Sequence, residues 1–261
     1  MTQQTALITG ASSGIGAVYA DRLAQRGYNL ILVARNLARL ETVANQIRNN
    51  HKTQVQVIPA DLATPAGSAP VEALLAQGGI DVLVNNAGFG AVAPLVQSNI
   101  DDMVRMIDIN VTALTRLTYA AVPALLQQGH GILINIASIV GVGPEILNGV
   151  YGATKAYVLA LTQSLQHELA AQGIRVQAVL PGAIATDFWD LAGLPHSNLP
   201  DEILMSTADL VDAALAGLDA GEVITIPPLQ DGNDWLNFEA QRQQLAQRFG
   251  HAKPAPRYLT K

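Results

Sequence analysis

Residues 5–27 read TALITGASSGIGAVYADRLAQRG. A short β-branched and apolar run meets a loop with glycines at 10, 14 and 16, and an amphipathic stretch, Ile15 to Arg26, follows. The glycines allow a tight turn and let a phosphate approach the backbone. The helix start then offers free N–H groups and a partial positive charge. Two other readings stay open. The loop serves equally as a plain strand-to-helix turn. Gly10 to Gly14 also satisfies G-x-S-x-G, which would make Ser12 a hydrolase nucleophile. That elbow needs strands before it and an acid and a late histidine after it. Here it follows the first strand, and the late histidines His196 and His251 stand in no distinctive context.

Outward from this unit the same grammar repeats. Apolar runs TALITG, NLILVA, QVQVIP, DVLVNN, GILINIAS, RVQAVLP and EVITIP alternate with helical patterns at Leu37–Asn49, Met103–Gln127, Gly152–Gln172 and Ala208–Ala220. Runs so short, so rich in Val, Ile and Leu, and so poor in polar alternation read as strands buried on both faces. Repeated β–α units predict one three-layer α/β domain over residues 1–261, a doubly wound parallel sheet of about seven strands. Ligands in such sheets bind outside the carboxyl ends of the strands.

With 49% apolar and 14% charged residues, the chain suits a large core. Its formal charge of −6 is spread without a basic cluster, which argues against nucleic acid as a partner. There is no cysteine, so disulfides, iron–sulfur clusters and thiol nucleophiles are excluded. The five histidines are scattered without ligand spacing, so no metal site is expected. The opening MTQQTALITG lacks a signal-peptide pattern, and the chargeless stretch from Leu117 to Pro144 is interrupted by Pro123 and QQGHG. The expectation is a cytoplasmic protein with no membrane span.

An adenine dinucleotide's ribose would lie at the end of the second strand. There the sequence has Ala34, then Arg35, with Arg39 a turn later and no carboxylate. A guanidinium grips a 2′-phosphate with two prongs, worth about 1.5–3 kcal/mol, or roughly ten- to a hundredfold. NADP(H) is expected over NAD(H), unless Arg35 is only a solvated surface charge.

The motifs together resemble the short-chain dehydrogenase/reductase family, in its compact single-domain branch, over about residues 5–228. They are TGASSGIG at 9–16, DL at 61–62, NNAG at 85–88, Asn110, Ser138, Tyr151 with Lys155, and PGAIAT at 181–186. The resemblance implies a Rossmann fold. Gly10, Ser12, Ser13, Gly14, Ile15 and Gly16 would hold the cofactor phosphates, and Asp61 and Leu62 would flank the adenine. Asn86, Ala87 and Gly88 would close over the ribose. Pro181, Gly182, Ile184 and Thr186 would hold the nicotinamide. Asn110, Ser138, Tyr151 and Lys155 match the family's catalytic tetrad. Lys155 would also bond the nicotinamide ribose, and Asn110 would hold a relay water. Members are usually dimers or tetramers. Some relatives bind dinucleotide as redox sensors without turnover, commonly lacking the tyrosine or lysine that this chain keeps.

Hydride transfer to a carbonyl leaves an alkoxide that needs a proton, and the reverse reaction needs a base. A tyrosine hydroxyl serves both if its pKa falls from about 10. An ammonium about 4 Å away, at an effective dielectric of about 20, contributes about 4 kcal/mol, or roughly three units before desolvation subtracts. Lys155, four residues after Tyr151, shares its helix face. Ser138 would orient the substrate oxygen. Read singly, Ser138 is a cap and Asn110 a satisfied core amide.

Phe89, Val92, Val140, Val142, Leu147, Phe188 and Trp189 predict an apolar substrate pocket, with Glu145 and His196 as its polar groups. A small apolar or amphipathic carbonyl or alcohol substrate follows, though several of these side chains equally suit lid packing. In the tail, residues 231–249 predict an amphipathic helix with Trp235, Leu236, Phe238, Leu245 and Phe249 apolar, and residues 253–261 an extended end. The tail is expected to pack on a neighbouring subunit or on its own domain.

Overall fold

Alternate residues of the strands feed opposite cores. Ala6, Ile8, Leu30, Leu32, Val82, Val84, Ile134 and Ile136 join one apolar cluster. Leu7, Ile31, Val33, Leu83 and Leu133 join the other. That two-sided burial is why these strands carry no polar alternation. The computed structural model describes residues 3–194 and 196–259, the side chain of His196 excepted.

The elements run β1 (Thr5–Thr9), α1 (Gly14–Gln25), β2 (Asn29–Ala34), α2 (Leu37–Asn50), β3 (Val55–Pro59), α3 (Pro65–Ala76) and β4 (Val82–Asn85). Next come α4 (Ile100–Ile107), a π-helical turn (Asp108–Ala113), α5 (Leu114–Gln128), β5 (Gly131–Ile136), α6 (Gly149–Leu169) and β6 (Ile174–Val179). Then follow β7 (Ala183–Ile184), α7 (Phe188–Ala192), β8 (Leu204–Met205), α8 (Thr207–Asp219), β9 (Ile224–Thr225) and α9 (Gly232–Ala246). The main sheet has seven strands in the order β3-β2-β1-β4-β5-β6-β9, and every pairing is parallel. Helices α1, α2 and α8 pack on one face, and α3, α5 and α6 on the other. The expected three-layer, doubly wound Rossmann architecture is what the chain adopts.

Two features depart from the sequence reading, and one proline sits where the helical pattern through Gln127 already ran. Helix α3 begins at Pro65, capped by the Thr64 side chain, and tolerates Pro70 within it. Strands β7 and β8 form a separate two-residue pairing. Pro123 lies inside α5 without ending it. The carbonyl it deprives belongs to Tyr119, an exposed residue. By length and composition Ile100–Gln128 is long and apolar enough to cross a membrane. Its Leu114, Leu117, Ala121 and Leu125 are nonetheless buried.

A polar chain crosses the apolar interior. Asn85 and Asn135 are register partners in β4 and β5. Asn85 Nδ2 donates to Asn135 Oδ1 at 3.0 Å and to Thr118 Oγ1 on α5 at 3.1 Å. Asn135 Nδ2 donates to Thr162 Oγ1 on α6 at 3.0 Å.

By contacts the chain divides into two units, residues up to Pro227 and Pro228–Lys261. The second holds α9, capped by Asp231, and a short 3₁₀ turn at Pro256–Tyr258. The extended end expected after residue 253 thus contains a turn. Leu236, Phe238, Leu245 and Phe249 are exposed, and Trp235 and Phe238 stack at 5.3 Å.

Candidate active site

The sheet order reverses direction between β1 and β4, so the loops after these strands open a crevice at their carboxyl ends. Buried Thr9 stitches the two loops. Its Oγ1 donates to Val84 O at 3.2 Å and accepts from Asn86 N and Ala87 N at 2.9 and 3.0 Å. Asn86 Nδ2 donates back to Thr9 O and Gly10 O at 2.9 and 3.2 Å. Gly10 has φ +66°, the left-handed region that suits glycine. A Cβ on Gly16 would stand 2.4 Å from Gly10 O. A Cβ on Gly14 would stand 3.3 Å from Thr186 Cγ2, so the PGAIAT stretch closes on the glycine loop.

Ser13 occupies the N-cap of α1 but its side chain makes no capping bond. Asn36, Thr64, Asn99, Asn148 and Ser206 all cap their own helices. The first N–H groups of α1 therefore lack a side-chain acceptor, above glycines that leave room for one. This donor set fits the phosphates of a dinucleotide.

At the far end of the crevice Arg35 is exposed and makes no hydrogen bond or ion pair with the described residues. Arg39 reaches Asp187 Oδ2 at 3.4 Å, both side chains being largely exposed. Asp61 Oδ2 pairs with Arg105 at 3.2 Å while Oδ1 accepts from Ala63 N at 3.2 Å, and Leu62 is buried. Asp187 and Arg105 are charges that sequence reasoning did not place here.

Tyr151 and Lys155 share one face of α6, and both are buried. Lys155 Nζ donates to Ile136 O at 2.9 Å and lies 5.8 Å from the centre of the Tyr151 ring. No other bond of this ammonium to a described residue is made, which leaves two N–H donors for ribose hydroxyls. Ser138, just past β5, donates to Pro181 O and accepts from Val140 N, each at 3.3 Å. Its hydroxyl acts on the Tyr151 phenol in the direction that lowers its pKa.

Burial pushes the Tyr151 phenol up to about 12. It pulls the Lys155 ammonium down to about 8. The sequence argument expected Lys155 to lower the Tyr151 pKa, and the protein's own groups give the reverse. Desolvation of the phenolate is the largest cause, and the Ser138 hydroxyl opposes it only in part.

Asn110 sits on the π-helical turn between α4 and α5. Its Nδ2 donates to Phe89 O at 2.9 Å and Thr154 Oγ1 at 3.1 Å, and its Oδ1 accepts from Phe89 N at 3.1 Å. Thr154 Oγ1 donates in turn to Tyr151 O at 2.8 Å. Both amide hydrogens are committed, so the side chain braces the β4 loop against α6. A water at this residue would meet the main-chain carbonyl or the second lone pair of Oδ1. Single π turns of this kind recur at functional sites.

The apolar wall follows expectation in part. Val140 is buried with Tyr151, and Phe89, Leu147 and Phe188 pack around them. The Phe188 ring lies 5.6 Å from that of Tyr151. Trp189 meets Phe188 edge-on at 5.4 Å, is buried, and donates its indole N–H to Ile184 O at 2.9 Å, so it supports Phe188 from behind. Glu145 and Val142 are exposed. The His196 side chain lies outside the described residues. Sequence reasoning missed Met103 and Met106, which back Tyr151, and Asn148, which caps α6. The cap was legible: Asn is a preferred N-cap, and moving the helix start from Gly152 to Gly149 exposes it.

Among the described histidine side chains of the first unit, none stands beside Ser12. His51 and His130 precede β3 and β5 and pair with Asp21 and Asp81, and His167 ends α6. All three sit toward the amino ends of the strands.

Residues 4–193 match the family model for short chain dehydrogenase. An uncharacterized oxidoreductase of Staphylococcus epidermidis is 36% identical over 210 residues, covering 77% of this chain and 90% of its own. Among solved structures, a short-chain dehydrogenase from Sphingobium yanoikuyae in complex with NADPH is 46% identical, with a TM-score of 0.95 over 98% of this chain and 100% of that one. The bulky-bulky ketone specific alcohol dehydrogenase from Comamonas testosteroni is 43% identical, with a TM-score of 0.92 over 100% of both chains.

Proposed function

The chain belongs to the short-chain dehydrogenase family, and on that premise we propose that it is an NADP(H)-dependent oxidoreductase interconverting bulky apolar ketones and their secondary alcohols. The observation that carries the reading is the junction of Tyr151, Ser138 and Lys155 at the carboxyl end of β5, walled by Phe89, Val140 and Phe188. The NADPH bound by the Sphingobium relative and the unpaired Arg35 support the cofactor. The ketone preference of the Comamonas relative supports the substrate class.

The glycine loop and the start of α1 would hold the phosphates, Arg35 the 2′-phosphate, and the free donors of Lys155 the nicotinamide ribose. NADP(H) supplies or accepts the hydride. The protein handles the proton. Ser138 and Tyr151 donate hydrogen bonds to the carbonyl oxygen and fix its place. As the carbonyl carbon gains the hydride, its oxygen takes the Tyr151 proton, leaving a phenolate that the Lys155 ammonium stabilises. In the oxidation direction the same phenolate accepts the proton. Burial keeps the Tyr151 hydroxyl protonated at neutral pH, the form that donates to the carbonyl oxygen. NADPH oxidation over a carbonyl panel, with wild type and Tyr151→Phe in parallel, tests the assignment.

Assembly is part of the reading. Residues 240–261 carry five basic and no acidic residues, while residues 1–239 carry ten basic and 21 acidic ones. A basic segment with exposed Leu245, Phe249, Tyr258 and Leu259 complements the acidic body of a second copy, so the tail docks there in a homo-oligomer.

A further inference from the structure

Asn148 is buried three residues before Tyr151, and all four of its amide hydrogen-bonding capacities are used. Oδ1 accepts from Val150 N at 2.9 Å and Tyr151 N at 3.4 Å, which caps α6. Nδ2 donates to Ala93 O at 2.6 Å and to Ser98 Oγ at 3.1 Å, both in the loop that follows β4. Ser98 Oγ lies 3.0 Å from Ala93 O and 2.9 Å from Pro94 O, so the bend is closed on itself at the point where Asn148 grips it. One residue earlier, Val92 N donates to Ala192 O at the end of α7, the helix that carries Phe188. The loop therefore links the first turn of the proton donor's helix to the segment bearing the aromatic wall.

We infer that Asn148 is a positioning residue that ties the 93–98 loop, and through it the segment bearing Phe188, to the first turn of the Tyr151 helix, and so sets which ketones reach the proton donor. The inference rests on the carbonyl-reductase reading. Capping alone does not require asparagine, since serine and aspartate cap equally well. Asparagine alone among the three caps a helix and also donates two hydrogen bonds from the same group.

That difference separates the two roles. Asn148→Ser keeps the cap and releases the loop. Asn148→Asp keeps the cap and sets an acceptor against the Ala93 carbonyl. For Asn148→Ser, kcat/KM for a diaryl ketone falls by about tenfold or more through a raised KM. The value for acetone changes by less than about twofold, and NADPH affinity is retained. Asn148→Asp falls below Asn148→Ser. Hydrogen exchange speeds up at residues 93–98 and not at residues 149–153. Three results would overturn the role: unchanged exchange at 93–98, parallel losses for both ketones with weakened NADPH binding, or Asn148→Asp matching wild type. If the wild-type protein turns over no ketone, the carbonyl-reductase reading fails, and the exchange comparison still decides whether Asn148 holds the loop.

Discussion

Lys155 spends one N–H on the Ile136 carbonyl, 2.9 Å away, and holds its charge 5.8 Å from the centre of the Tyr151 ring. A buried ammonium with one neutral partner costs stability, a cost that the proposed proton chemistry beside it would explain.

Lys155→Met therefore stabilises the fold while abolishing turnover. The folded-state pKa, about 8, lies below the ordinary 10.5. Below pH 8 lysine is charged in both states and the burial penalty is complete. Between 8 and 10.5 the unfolded chain binds more protons, so wild-type stability rises with pH. At pH 7 the variant gains up to about 3 kcal/mol, less the lost hydrogen bond, and the gain fades above pH 8. Urea unfolding at pH 7 and pH 9.5 checks this; a variant less stable at pH 7 would refute it.

Tyr151→Phe removes the proton donor without disturbing the apolar wall. Turnover falls by two to four orders of magnitude. NADPH affinity stays within about twofold, because Phe188 and Val140 still pack the ring. Single-turnover absorbance with a ketone reads the first quantity and fluorescence titration the second. Retention of more than a few per cent of turnover removes Tyr151 from its role.

Arg35→Asp reverses cofactor preference, whereas Arg39→Ala weakens NADP binding only mildly. Arg39 already leans on Asp187, and Arg35 makes no bond to the described residues. The NADP/NAD ratio of kcat/KM should drop at least ten- to a hundredfold for Arg35→Asp. An unchanged ratio would show Arg35 to be a solvated surface charge.

Deleting residues 231–261 lowers the assembly state seen by light scattering, and added salt weakens assembly of the intact chain. The apolar contribution is read separately by Leu245→Asp with Phe249→Asp. The same mass for intact and truncated chains assigns assembly to other surfaces.

The strands were legible because a run such as Leu30–Val33 must be apolar on both sides to sit between two cores. Asn110, Ser138, Tyr151 and Lys155 were singled out by their resemblance to a family pattern, and the fold gathers Ser138, Tyr151 and Lys155 beyond the carboxyl end of β5. Asn110 was found as a residue, but its π turn was not. The helical periodicity continues through Asp108–Ala113, and nothing in the side chains announces a change of hydrogen-bond pattern. Helix α3 was hidden by two prolines and a glycine, although Thr64 before Pro65 is a helix-start signal. The pKa of Tyr151 was misjudged because charge pairing was read from spacing, whereas burial is a property of the assembled walls.

The paired asparagines of β4 and β5 bear on how this sheet avoids wrong partners while it assembles. Strands made almost wholly of Val, Ile and Leu can exchange neighbours or slide at little cost in apolar contact. A slide of one residue between Val82–Asn85 and Ile132–Asn135 would separate Asn85 from Asn135. Each stranded amide would then forfeit about 1–3 kcal/mol in a dry interior. Replacing both by leucine should leave thermal stability close to that of the parent while lowering the yield of correctly refolded protein. Two polar residues thus act as a proofreading step for the centre of an otherwise interchangeable core.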